Sequence, residues 1–268
     1  MKNSPRAALF LLLAATALTV PARAQDVPPV VTAIFKSWET QLKATPAYDK
    51  IETDSSGNVT ISNVAATASA QDPGTTMKLS IGSIALENVA TEAEGLIAVG
   101  AATFSDTKLE FTGPQNKSFV IDIPKASAED WYVAVLGAHP TPLQVFRGSM
   151  GIAKKMTSGE IKITAEGQTF TAKGIESAWS GDPVTGAGKT TMSFNDLVIP
   201  ESAIALLDPA GQLKALGYSG LTLNAGGEGE FTVTGESFGM SGTINIASKD
   251  MAGPVSYTHL TLPTHYSV

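Results

Sequence analysis

The chain has no cysteine, only three histidines, and few aromatic residues, which make up 7% of the sequence. Without cysteine there is no disulfide, no thiolate metal site, no cysteine nucleophile and no lipidated N-terminal cysteine. Basic residues are also few: 18 stand against 25 acidic ones, giving a net charge of −7. This balance argues against nucleic acid or an anionic membrane surface as a bulk partner. Glycine, in contrast, occurs 25 times, which is above its usual share of about 7%.

The first 24 residues have the order of a secretory signal peptide. Lys2 and Arg6 precede an apolar run from Ala7 to Val20, and the small-x-small triplet 22–24 follows. The run is shorter than the roughly 20 residues that span a bilayer core, although a retained signal anchor is the alternative. We therefore expect export to the periplasm with cleavage after Ala24, and no transmembrane helix in the mature chain.

The last 14 residues, 255–268, are expected to be artefactual. The ten residues Val255–Thr264 match the translation of a transposon-based sequencing adapter, and a natural Thr/Leu-rich tail is the alternative. On the adapter interpretation the natural C-terminus is missing, and His259 and His265 have no part in function. About 230 residues then remain between the two ends, enough for one large or two small domains with a core.

The remaining sequence predicts one early helix followed by strands. Apolar residues at helical spacing predict a helix over 29–44, with Ile34, Phe35, Trp38 and Leu42 on its packed face. From Tyr48 onward, apolar and polar residues alternate in about twelve segments, the pattern of half-buried strands. Further helices are predicted at 128–136, at 143–156 and at 202–216, the last broken around Pro209. The expected fold class is mainly β with a few helices (α+β), built from antiparallel meanders.

An internal repeat indicates two related units. Residues 51–73 align with 161–183 at a constant offset, which matches Gly57 with Gly167 and one Asp-Pro pair with the other. We therefore expect two helix-plus-meander units, 25–139 and 140–254, the second truncated at its C-terminus. Chance similarity is the alternative, because few identities are involved.

A second internal similarity leads to a resemblance to known proteins. In 123–137 and again in 199–217, an Ile-Pro pair ends a strand and a helix ending in Leu-Gly follows; strands at 221–224 and 230–234 come next. Together with the export signal, this pattern resembles exported β-rich proteins of Gram-negative, alphaproteobacterial bacteria, in the general style of the AsmA-like β-groove proteins. The resemblance covers most of residues 48–247. It implies a periplasmic β-rich fold in the cell envelope, suggests lipid handling, and brings no catalytic motif.

The motifs that could carry chemistry are incomplete. Residues 181–190 contain Gly-Lys-Thr, but the spacing and a proline are wrong for a phosphate loop, so a glycine-rich turn is expected. His139 has neither a Gly-x-Ser-x-Gly elbow nor further His or Cys zinc ligands to accompany it, which favours an exposed linker residue. The Ser-x-x-Lys sequence at 105–108 is interpreted as a turn.

Four carboxylates are candidates for chemistry, and each also has a structural interpretation. Glu129 and Asp130 are expected in the first turn of a helix, where they complement its dipole, rather than as a glycosidase pair. Asp72 and Asp182 are expected to open turns, with calcium binding as the alternative. We therefore predict no catalytic, cofactor-binding or metal-binding residues.

The remaining hypothesis is an apolar binding surface. Small residues along the predicted strands leave room for a concave groove, whose candidate lining is Leu79, Ile81, Leu96, Ile97 and Val99. Such a groove suits an acyl chain or another lipid-like ligand. Trp38, Trp131 and Trp179 are expected in the core, with a pocket lining as the alternative. We expect a monomeric, non-enzymatic protein; the alternatives are a structural or outer-membrane-associated β protein and, less favoured, an envelope hydrolase.

Overall fold

A computed structural model describes residues 27–69, 75–114, 118–141, 144–145, 147–148, 152–208, 210–234 and 237–249. Strands account for 63% of the fold and helices for 13%, which confirms the mainly β class. The predicted signal peptide, Asp72 and the tail at 255–268 lie outside the described residues.

Twelve antiparallel strands form one sheet. In chain order they are β1 (Lys50–Thr53), β2 (Val59–Ser69), β3 (Thr76–Val89), β4 (Leu96–Thr112), β5 (Ser118–Ala134), β6 (Ala153–Ser158), β7 (Ile161–Ala165), β8 (Gln168–Ala172), β9 (Gly174–Gly181), β10 (Gly188–Pro200), β11 (Gly220–Thr234) and β12 (Ser237–Ser248). The sheet order is β1-β2-β3-β4-β5-β6-β9-β10-β11-β12, with β7 and β8 beside this path.

The two halves of the chain share this sheet without a break. Strand β5 pairs with β6 through one part of its length and with β7 through another. Strand β10 pairs with β9 and, further along, with β8. Two short strand pairs, β6–β9 and β7–β8, therefore fill the space between the long strands β5 and β10.

Helix α1 (Pro29–Leu42) covers one face of the first half of the sheet. It begins with Pro29 at its first helical position, where the missing amide hydrogen costs nothing, and Lys43 follows it in the left-handed conformation. Its buried residues pack in one core with strands β1–β6; they are Val30, Val31, Ala33 and Ile34. Two short helices, α2 (Glu201–Leu207) and α3 (Gln212–Ala215), lie in the second half. Ala203 and Ile204 of α2 form a separate cluster with Ile199 and Leu221.

The long strands bend where an Asn or Asp adopts the left-handed conformation. Such residues occur at Asn63, Asn88, Asp106, Asp130 and Asp196. Regular pairing is interrupted at each of them, for example where Asn88 faces Gly100 between strands β3 and β4. At Asp196 the register also shifts, as in a β-bulge, whereas at the other four positions the register continues unchanged across the unpaired residue.

One predicted helix, at 128–136, is wrong, and the helix at 143–156 is confirmed only in part; an unpaired residue at Asp130 explains the first difference. Residues 128–134 belong to strand β5, and 153–156 to strand β6, while helical turns occur only at 144–145 and 147–148 of the described residues. In β5 the irregularity at Asp130 places Ala128 and Trp131 in the same core. Because core residues on either side of the left-handed Asp130 are three positions apart instead of two, this strand imitates the helical period. The broken helix at 202–216 is confirmed by α2 and α3.

Candidate ligand-binding surface

One row of cross-strand neighbours runs from the first half of the sheet to the last strand. Its members, in sheet order from β2 to β12, are Val59, Leu86, Ala102, Ala128, Met156, Ser177, Met192, Gly227 and Ile244. Directly paired residues point to the same face of a sheet. The first four lie in the core beneath α1, so the whole row lies on the face that α1 covers.

The second part of that row is exposed. Val59, Leu86, Ala102 and Ala128 are at most 2% exposed, whereas Met156, Met192 and Ile244 are 38%, 54% and 49% exposed. A neighbouring row on the same face contains Ile175, Phe194, Ala225 and Ile246, of which Ile246 is 42% exposed. We call these nine residues the bare face, of which Met156, Met192, Ile244 and Ile246 are exposed and the other five half-buried: Met156, Ser177, Met192, Gly227, Ile244, Ile175, Phe194, Ala225 and Ile246.

The bare face carries no charge, in contrast to the other side of the same strands. None of its nine residues is ionisable. Alternation places charged residues on the opposite side, where Glu129 pairs with Lys155 and Lys189 pairs with Glu230. A depression of about 480 Å³ is lined by charged residues of that side, among them Glu129, Lys155 and Glu176, and also by Trp179, Ser177 and Met192. The strands of the second half therefore have one apolar and one charged face, both in contact with solvent.

A cavity of about 200 Å³ lies between α1 and strand β5. It is lined by Ile34, Ser37, Trp38, Gln41, Phe104, Ala128, Trp131, Tyr132, Val133, Ala134, Gly148 and Met156. An engineered apolar cavity of about 150 Å³ in another protein stays dry and binds benzene, so this space has the size for part of a hydrocarbon. Because Met156 lines the cavity and also begins the bare face, the two surfaces are continuous.

The polar groups of the cavity are engaged with each other. The Ser37 hydroxyl donates to the carbonyl oxygen of Gly148 at 3.0 Å and accepts from Gln41 Nε2 at 2.9 Å. Ser37 is 4% exposed, and this pair of bonds satisfies its hydroxyl within the protein. The cavity therefore presents mainly carbon to an occupant, with Gln41 exposed at its rim.

The structure does not bring the five predicted lining residues together on one surface. Ile81, Ile97 and Val99 are buried in the core beneath α1, and Leu96 lies in another cluster with Ala134 and Leu136. Leu79 is half-buried at the edge of the main core. Ligand contact at these positions stays a prediction, and we place the candidate surface on the bare face instead.

The sequence signal for the bare face was present in the alternation of Met192 with Phe194 and of Ile244 with Ile246. It predicted half-buried strands, which is what the structure has. The alternation could not predict that α1 covers only one half of the sheet. The exposed half therefore became visible only from the fold.

The other candidate residues have structural roles. Asp182 opens the turn between β9 and β10: its carboxylate accepts from the Val184 amide and from the Thr185 hydroxyl, both at 2.9 Å. The Thr185 hydrogen bond is the main reason that the pKa of Asp182 lies below its usual value. The turn expected at 181–190 is confirmed, whereas Ser105–Lys108 lies inside strand β4.

The remaining candidate residues also do not form a common site. Glu129 and Asp130 lie in strand β5 and not at a helix start, which corrects that expectation. His139 is exposed in the connection after β5. Trp131 is buried in the core, while Trp38 and Trp179 are half-buried.

The described residues contain neither a metal cluster nor a helix that could cross a membrane, and the chain matches no known protein. Among the described ranges no three His, Cys, Asp or Glu side chains gather as a metal site would need. Within the same ranges, no helix has the length and apolar character to cross a bilayer. No family model, curated protein or solved structure matches the chain. The resemblance to exported β-groove proteins therefore stays an expectation.

Proposed function

We propose that this protein is an exported, periplasmic binding protein of the cell envelope, and that it holds a lipid-like acyl chain on the bare face. The observation that carries the proposal is the exposure change along one row of the sheet. Beneath α1 the row is buried, and beyond Met156 the same apolar face meets solvent. Exposed apolar patches of this kind mark ligand-binding or interaction surfaces in soluble proteins.

The dimensions suit a long hydrocarbon. From Ala128 on β5 to Ile244 on β12 the row crosses six neighbouring strands, which spans about 24 Å at roughly 4.8 Å per strand. Gly227 and Ser177 leave low points between the bulky side chains along this path. Met156 and Met192 are flexible and polarisable, as is typical of surfaces that accept apolar ligands of varied shape. An acyl chain would lie across the strands with one end in the cavity beneath α1.

A leucine in the cavity tests the proposal. Ala128 is 2% exposed and lines the cavity, so Ala128→Leu fills space that the ligand end would occupy. Displacing two or three methylene groups, at about 0.8 kcal/mol each, weakens binding roughly tenfold or more. The measurement is titration with cis-parinaric acid, a fluorescent fatty acid, and its displacement by stearate.

The matched control is Ala178→Leu. Ala178 is exposed on the charged side of strand β9, so the same substitution leaves binding unchanged. Thermal melts of both variants show that they are folded. Equal affinity in the two folded variants, or no saturable binding to the parent protein, would end the acyl-chain proposal and leave a structural envelope role.

The proposed periplasmic location can be tested separately. The signal-like order of residues 1–24 supports export. We expect release of the protein by osmotic shock and a mature N-terminus at Gln25. Retention with outer membranes would favour the membrane-associated alternative.

A further inference from the structure

Arg147 is the only arginine of the chain beyond residues 1–24, where Arg6 and Arg23 lie. It is half-buried in the connection between strands β5 and β6. Two of its guanidinium nitrogens, Nε and Nη2, are closed to solvent and have no hydrogen-bond partner within the described part of the chain. A permanently charged group that is buried without a partner is costly, so a partner of opposite charge is expected.

The two unpartnered nitrogens are the pair that can hold one carboxylate. In a guanidinium group the N–H of Nε and one N–H of Nη2 point in parallel along the same edge of the plane. Two parallel donors match the two oxygens of a carboxylate, and bidentate pairs of this kind are among the strong hydrogen bonds of proteins. A lysine in this place would offer a point charge without the fork. The group that would satisfy both nitrogens at once is therefore a carboxylate.

Asp182 is an acidic residue whose charge reaches Arg147, but it does not occupy this edge. Burial lowers the pKa of Arg147 below its usual value, and the charge of Asp182 opposes that change. Neither of the two unpartnered nitrogens is bonded to Asp182. Its carboxylate accepts hydrogen bonds within its own turn, from the Val184 amide and from the Thr185 hydroxyl. The carboxylate that fits Arg147 therefore comes from outside this turn.

Arg147 lies beside the cavity beneath α1. The next residue, Gly148, lines that cavity, and its carbonyl oxygen accepts the Ser37 hydroxyl of α1 at 3.0 Å. The stem of Arg147 lies against the turn between β9 and β10, where a Cβ atom at Gly186 would be 3.2 Å from the arginine Cγ. Gly186 has φ of 80°, so a glycine both permits this turn and leaves room for the arginine. The cavity wall and the turn together fix the position of Arg147.

We propose that Arg147 binds the carboxylate head of the acyl ligand, so that the ligand is a fatty acid and not a neutral lipid. This inference rests on the proposed function, to which it adds the chemistry of the headgroup. From the carboxylate at Arg147 the hydrocarbon runs past Gly148 through the cavity and reaches the bare face at Met156, which lines both surfaces. Because the two nitrogens are closed to solvent, a neighbouring side chain moves when the carboxylate enters.

The charge of the protein makes a local cation important for such a ligand. The chain has a net charge of −7, which repels a fatty-acid anion at long range. No residue that lines the cavity or belongs to the bare face carries a positive charge. Arg147 directly precedes the cavity residue Gly148, so it supplies the missing charge next to the apolar surface.

The experiment compares a fatty acid with the alcohol of the same chain length. Decanoate and decanol are titrated by calorimetry at neutral pH into the parent protein and into Arg147→Gln. We expect the parent protein to bind decanoate roughly tenfold or more tightly than decanol, because the alcohol cannot accept the charged, bidentate pair of hydrogen bonds. In Arg147→Gln the two ligands bind equally, and the affinity for decanol is unchanged. Lys36→Gln removes one exposed positive charge from α1 and keeps the preference for decanoate.

Nuclear magnetic resonance gives a second measurement on the same atoms. The arginine Nε–H signal that is present in the parent protein and missing from Arg147→Gln belongs to Arg147, and only two other arginines exist in the chain. We expect decanoate to shift this signal, since the Nε hydrogen then bonds to a carboxylate, and decanol to leave it in place. Acetate at the same concentration is expected to have no effect, because it lacks the hydrocarbon that binds the cavity.

The outcomes separate this inference from the proposed function. Equal affinity of the parent protein for the two ligands, or a preference for decanoate that persists in Arg147→Gln, would overturn the headgroup assignment and leave acyl-chain binding in place. If neither ligand binds, both proposals are wrong. An Arg147 signal that acetate shifts as strongly as decanoate would mean that the site takes a free carboxylate and not a lipid head. Thermal melts show that the variants are folded, and the comparison of the two ligands in the parent protein does not depend on them.

Discussion

At the scale of single residues, the shape of the sheet depends on pairs of an Asn or Asp with a glycine. Asn88 is left-handed with φ of 54°, and its side chain crosses over Gly100 on the adjacent strand. A Cβ atom at Gly100 would lie 2.9 Å from the Asn88 Cβ, closer than real contacts allow. Gly82 has a similar relation to Asp106, where the corresponding distance is 3.1 Å. Part of the glycine excess therefore makes room at strand bends.

This arrangement predicts a specific rescue. Gly100→Ala is expected to lower the free energy of unfolding by about 1–3 kcal/mol, the usual cost of overpacking. The double variant Asn88→Gly/Gly100→Ala regains much of this loss, because glycine removes the opposing Cβ and accepts a positive φ. Gly137→Ala serves as the control, since no atom lies within 4 Å of its Cβ position. Urea unfolding measures all four proteins, and equal stability of Gly100→Ala and Gly137→Ala would contradict this description of the bend.

At the scale of elements, the bend in β10 is held by charge. Asp196 adopts φ of 49° there, and the side chain is 13% exposed. Lys173 Nζ donates to its Oδ2 at 2.6 Å, and Lys249 donates to Oδ1. The Asp196 amide also donates to the Asn224 side chain at 2.9 Å. The lysine hydrogen bonds, that of Lys173 first, hold the pKa of Asp196 below its usual value.

The lowered pKa gives a pH dependence with a definite sign. A carboxyl whose pKa is lower in the folded state stabilises the protein above the unfolded-state pKa, about 3.9, and this contribution is lost as the pH falls through the folded-state pKa. Asp196→Asn keeps a residue that tolerates the left-handed conformation but removes the charge. We expect the variant to melt below the parent protein at pH 7 and the difference in Tm to disappear in acid. A difference that is constant from pH 7 to pH 2 would show that the ion pairs contribute nothing.

Elements were predictable from the sequence where local pattern and tertiary structure agree. The α1 helix, the alternating strands and the break around Pro209 follow from periodicity and proline alone. The strand at 128–134 was mistaken for a helix because the left-handed, unpaired residue Asp130 changes the spacing of its core residues. The candidate lining stays a prediction, because apolar residues at Ile81, Ile97 and Val99 fit a core as well as a groove. Only the position of α1 separates these two environments.

At the scale of the whole molecule, one continuous sheet carries two different surfaces on the same side. Helix α1 covers the first half, and α2 covers a small part of the second with Ala203 and Ile204. In the rest of the second half Met156, Met192, Ile244 and Ile246 are exposed, and Met156 also lines the cavity beneath α1. The apolar side of the sheet is therefore covered unequally by helices. The proposed ligand binding follows from this feature.

The absence of cysteine allows this claim to be tested directly, because any introduced cysteine is a unique labelling site. Met192→Cys places a fluorophore on the bare face, and Ala178→Cys places one on the charged side of the neighbouring strand β9. Each labelled protein is titrated with 9,10-dibromostearate, whose bromine atoms quench fluorescence on contact, and with unbrominated stearate. The proposal predicts saturable quenching at position 192 by the brominated acid alone, and none at position 178. Equal quenching at both positions, or no quenching at either, would contradict acyl-chain binding on the bare face.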